Sequence, residues 1–156
     1  MSMNWKAKGA SEDEIDRLLQ HGVERSFFRT APILRLSRSW DAISWLITRE
    51  SVRTRRPSST NPILGGRGLK GDLYGYGASL HSPKDVERHR ELVESISVEE
   101  LRLRFEPRAF SIAEIYPYRG AWDAEYLDPI LSDYVKLQRF LKLLSRRGLG
   151  MVATMS

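Results

Sequence analysis

A chain of 156 residues, 41% hydrophobic and 10% aromatic, is long and apolar enough to bury a core as one domain spanning 1–156. It has no cysteine, which excludes disulfides, thiolate zinc sites and a cysteine nucleophile, and which suits a reducing compartment. The 25 Lys and Arg against 20 Asp and Glu leave a surplus of +5, compatible with an acidic partner but ordinary for a globular domain.

No run has the apolar length of a signal-peptide core or of the ~18 residues that a membrane span needs, so the expectation is a cytoplasmic protein without membrane association. Residues 3–7 alternate loosely between large apolar and polar side chains, which predicts a short strand. Ser11 then opens a capping box with Glu14, and Ile15, Leu18 and Leu19 follow on one face of a first helix that ends near Gly22. The acids of its first turn are explained by the helix dipole, not by catalysis. A short helical piece over 23–29 precedes Pro32.

The spacing of Leu36, Trp40, Ile43 and Ile47 predicts a central buried helix over 34–48, capped by Ser37 and carrying Asp41 in its first turn. Residues 49–60 are rich in Arg, Ser, Thr and Pro with almost nothing to bury, which reads as an exposed, dispensable loop. Arg49, Arg53, Arg55 and Arg56 make it strongly basic, but no aromatic residue is interleaved to stack on bases, which argues against nucleic acid.

Residues 63–77 hold six of the eleven glycines. Gly65, Gly66 and Gly68 could leave amides free for an anion beside Arg67, though the spacing is neither a Walker loop nor a dinucleotide fingerprint. Tight turns around one strand over 72–80 explain most of them. Ser82, Pro83 and Asp85 start a helix with Val86, His89, Val93 and Ile96 inward. Ser97 and Glu100 cap the next, with Leu101 and Phe105 inward, and Pro107 opens another through Ala113. Ile115-Tyr116-Pro117 is an extended connection. The longest helix carries Tyr126, Ile130, Tyr134, Leu137, Leu141 and Leu144 and ends at Gly148, before a last strand over 150–156. Pro129 sets its start, either with Asp128 as cap or after a short turn from Asp123.

Met1-Ser2-Met3 at the start, Trp40-Asp41, Pro62 with Ile63-Leu64-Gly65-Gly66, Leu101 with Arg104-Phe105, Ile115-Tyr116-Pro117 and the closing helix-Gly148-strand pattern resemble, in this order, the YfbM-like proteins, a bacterial family of unknown function. Ser2 stands where that family usually has glycine, and the basic loop is peculiar to this chain. The resemblance implies an α+β fold, one helix-rich domain with a small sheet, and the expected N-terminal, central and C-terminal strands would make that sheet mixed or antiparallel. It implies no reaction, cofactor or catalytic residue.

The three histidines, His21, His81 and His89, lack the spacing of a metal helix motif, and no serine sits in a nucleophile elbow, so neither a metal nor a cofactor is expected. Two classes of function stay open. The first is a binding or interaction module that recognises a protein or small ligand, with Trp40, Asp41, Gly65, Gly66, Arg67, Asp72, Tyr76 and His81 as candidate ligand-binding residues and Tyr74 beside them. The second is an enzyme acting on a phosphorylated or nucleotide-like substrate, with Arg67, Asp72 and His81 as its polar groups.

Overall fold

Two strands from opposite ends of the sequence make the middle of the sheet. Trp5–Ala10 (β1) pairs antiparallel with Gly150–Met155 (β5), from Trp5 opposite Met155 to Ala10 opposite Gly150. Ile33–Leu36 (β2) adds to the other side of β1, Tyr76–His81 (β4) adds to β5, and Arg67–Leu73 (β3) forms the far edge. The order is β2-β1-β5-β4-β3, with every neighbour antiparallel. The structure, a computed structural model, describes residues 3–73, 76–117 and 122–156, with only the backbone of Asp72 and Tyr76. Tyr74 lies outside the described residues.

Period-two alternation sends the sheet's side chains into two cores. Trp5, Ala7, Leu34, Leu36, Met151 and Ala153 face the helices Trp40–Thr48 (α2), Pro83–Glu94 (α3), Val98–Arg104 (α4), Pro107–Ile112 (α5) and Leu127–Arg146 (α6). Ala10, Leu73, Ala78, Leu80 and Val152 face the other way, against Glu12–His21 (α1) and a 3-10 turn at Arg25–Arg29. The result is a three-layer α+β domain, and among the described residues no helix is long and apolar enough to cross a membrane.

The expected caps form: Ser11 with Glu14, Ser82 with Asp85, and Ser97 accepting from the Glu100 amide. Asp123 caps a 3-10 turn, Ala124–Tyr126, ahead of α6, and Gly148 takes a left-handed φ of 63° after it. The strand expected over 3–7 runs instead from Trp5 to Ala10, and three further features differ from expectation. The run over 34–48 is cut in two: Leu36 belongs to β2, and the helix starts only at Trp40 behind Ser39, whose side chain makes no capping bond. The strand expected over 72–80 is instead two arms of a hairpin, β3 and β4, with a register shift between Leu69 and Leu73. The basic loop is anchored: the Val52 amide donates to Asp41 Oδ1 at 2.7 Å, the Ser58 amide to Glu50 Oε2 at 2.8 Å, and Ser51 is buried. Composition hid these ties because they are made by backbone amides, which every residue carries.

Candidate functional site

The glycine-rich segment is organised by the residue that precedes it. Asn61 is fully buried; its Oδ1 accepts from the amides of Ile63 and Leu64, and its Nδ2 donates to Ser44 Oγ, Thr48 Oγ1 and Glu50 Oε1. This hub pins the loop to the end of α2. The Ile63 carbonyl accepts from the Trp5 indole at 3.0 Å, which pins it to β1 as well. Gly65 is then enclosed: a Cβ there would stand 2.5 Å from the Ser58 carbonyl oxygen and 2.6 Å from that of Asn61. Gly66 has φ +92°, and a Cβ on it would stand 2.7 Å from His81 Nε2. Two candidates, Gly66 and His81, are thus in direct contact, and only glycine fits against the ring.

His81 is fully buried at the end of β4, with Nδ1 2.8 Å from His89 Nε2 of α3 and Nε2 3.4 Å from Ser79 Oγ. His89 Nδ1 has no partner among the described residues. Burial pushes both imidazoles down, His81 to about 3 with the His89 charge as a second cause, and His89 to about 4; Asp85 acts in the opposite direction on each. Two neutral rings share one proton along the Nδ1···Nε2 line. If His89 Nε2 carries it, His81 Nε2 donates to Ser79 and the unpartnered His89 Nδ1 is only a lone pair; the reverse tautomer buries an unpaired N–H there, which costs more. The Ser79-His81-His89 row resembles a hydrolase relay in outline. A ring this reluctant to take a proton is a poor general base at neutral pH.

Arg67 pairs with Leu80 in the β3–β4 register, so it shares the α1 face of the sheet, while His81, one residue on, shares the opposite face. Arg67 is exposed. These two candidates do not converge. The side chains of Asp72 and Tyr76 lie outside the described residues.

Trp40 and Asp41 form a separate group. Both are fully buried; Trp40 stacks on Tyr116 at 5.2 Å between centroids, and its indole donates to the Met3 carbonyl at 3.0 Å. Asp41 accepts from the Val52 and Tyr116 amides, at 2.7 Å and 2.8 Å, one on each oxygen. Burial raises its pKa, against the lowering by these two backbone bonds and by Arg53. Asp41 therefore ties two loops to α2, a use that dipole reasoning alone could not show.

Beside the hairpin, on the face shared with His81, an open cavity of about 280 Å³ is lined by Trp5, Ile63, Leu64, Gly77, Ser79 and Met155. The register puts Gly68 opposite Ser79, on the same face. Among the described residues, a Cβ on Gly68 or on Gly77 would meet nothing within 4 Å. Sequence reasoning missed Ser79 and Asn61, although signals existed: Ser79 and His81 stand two apart on one strand, hence on one face, and Asn61-Pro62 is a turn-forming pair.

No curated protein matches the chain. Among solved structures, the crystal structure of YfbM, a protein of unknown function from Escherichia coli, superimposes with a TM-score of 0.77 at 18% identity over 100% of both chains, a likeness of fold alone. The family model of a domain of unknown function, DUF1877, matches residues 1–154, and the chain belongs to that family.

Proposed function

We propose that the protein is a binding module, and that it takes a small ligand with a flat apolar body on the sheet face beside the β3–β4 hairpin. One observation carries this reading. Gly68 and Gly77 lie in strands, neither has the left-handed φ that would require glycine, and both face open space. A strand glycine costs about 0.5–1 kcal/mol relative to alanine, and no packing among the described residues offsets that here. What the pair leaves is bare backbone, on which a ring can lie closer than any side chain would permit. Leu64 supplies apolar contact over the buried Trp5 ring, and the Ser79 hydroxyl, backed by His81, supplies a hydrogen bond at the edge. At about 280 Å³ the volume falls just below the ~300–1,000 Å³ of ordinary small-molecule sites, which suits a ligand of fragment size.

In this reading Gly65, Gly66 and His81 shape the site from behind, and Trp40 and Asp41 hold the loops that frame it. The competing enzyme, acting on a phosphorylated or nucleotide-like substrate, needs Arg67 and His81 on one surface, which the strand register opposes. Screening planar aromatic fragments by thermal shift against wild type and Gly77→Val tests the proposal. The expected result is a set of fragments that stabilise wild type and not the variant, whose own melting temperature is no lower. Fragments that stabilise both equally, or none that stabilise wild type, would overturn it.

A further inference from the structure

β1 carries a cation into the layer under α1. Lys8 is only 5% exposed, with Nζ 5.0 Å from the Phe27 ring centroid and 3.5 Å from the Ala31 carbonyl oxygen. Both partners attract an ammonium, yet both are neutral. Lys8 takes part in none of the ion pairs of the described residues. A buried charge without a counter-charge is among the costliest groups a fold can hold, and an apolar side chain of the same length would pack against Phe27 without that penalty.

The ammonium is not sealed in protein. Lys8 lines a cavity of about 530 Å³ between α1 and the Arg25–Arg29 turn, well inside the ~300–1,000 Å³ range of small-molecule sites. Leu18 and Phe27 give it apolar walls and Arg17 a second cation. Glu14 and Glu24 also line it, Glu14 being engaged by the Ser11 amide at 3.0 Å. Two carboxylates in the wall disfavour a multiply charged anion, while one negative charge is met by Lys8 and Arg17.

We propose that this cavity binds a small monocarboxylate with an apolar or aromatic body, its carboxylate paired with Lys8 Nζ and its body against Leu18 and Phe27. The site is distinct from the hairpin shelf and does not depend on it. Calorimetric titration of the full chain with benzoate, hexanoate and 3-phenylpropanoate tests it, each against its primary amide. At least one acid binds saturably, its amide binds at least roughly tenfold more weakly, and Lys8→Met loses the acid while melting no lower than wild type. In wild type alone, the Lys8 side-chain NMR resonances shift with the acid and not with the amide, a readout that stands even if the variant folds poorly. Failure of all three acids to bind in the millimolar range, equal binding of acid and amide, or undiminished binding to a folded Lys8→Met would each overturn the proposal.

Discussion

At the scale of single residues, the glycines divide by what surrounds them. Gly66 is held by a left-handed φ and by the His81 ring, so Gly66→Ala must strain the backbone and displace an imidazole fixed by His89. We expect a loss of about 2–4 kcal/mol in urea unfolding. Gly77→Ala, in open space, should be neutral or gain up to about 1 kcal/mol. The reverse order would mean that the hairpin is misread. The histidine pair makes a second prediction. Both rings are held below their ordinary pKa, so in the range from about 6.5 down to about 4 the unfolded chain binds more protons than the folded one. Their contribution is fully present above pH ~6.5 and is lost as pH falls toward the folded values, by roughly 2–5 kcal/mol at pH ~4.5. Denaturant melts at both pH values check this, and a flat profile would show that the rings are accessible to water.

At the scale of elements, the loop from α2 to β3 shows how a stretch with little to bury can still be fixed. Its order rests on Asn61, Asp41 and Glu50, which bind backbone amides, and on a surface contact of Arg53 with Glu114 at 2.8 Å. Removing the Asn61 side chain orphans the Ile63 and Leu64 amides, at about 1–3 kcal/mol for each that stays buried. Trypsin should cut after Arg55 markedly faster in Asn61→Ala than in wild type; equal rates would mean that the hub does not hold the loop. Trp40→Ala should cost about 3–5 kcal/mol, since it empties a fully buried site and removes the stack on Tyr116; a loss under about 1 kcal/mol would contradict that packing. The helices over α1, α3 and α6 were legible in the sequence because caps and apolar stripes are local signals. The split of 34–48 into β2 and α2 was not, because Leu36 fits a helical stripe and a strand alternation equally well. Lys6 and Lys8 alternate with Trp5 and Ala7, which reads as a half-exposed strand, yet all of β1 is buried because α1 and the Arg25–Arg29 turn cover its second face. That cover is a tertiary fact with no trace in the local pattern.

At the scale of the molecule, the joined termini make the sheet, and the sheet makes the site. β5 lies between β1 and β4, so its residues line the shelf from one side while the Asn61 loop frames it from the other. Gly66 and His81 were drawn together by the fold from candidates that sequence had set in one stretch; Trp40 and Asp41 went to a different part of the core, because α2 meets the Tyr116 connection there. The bare backbone of the hairpin is where we propose that a ligand lies. The most direct test is to follow the Trp5 indole, Gly68, Gly77 and Ser79 N–H signals by NMR while titrating the planar fragments that stabilise the protein. We expect these four signals to move together and saturate at one affinity, with the Trp5 indole bond to Ile63 reporting the contact. Saturating shifts confined to any other surface, with these four unmoved, would contradict it.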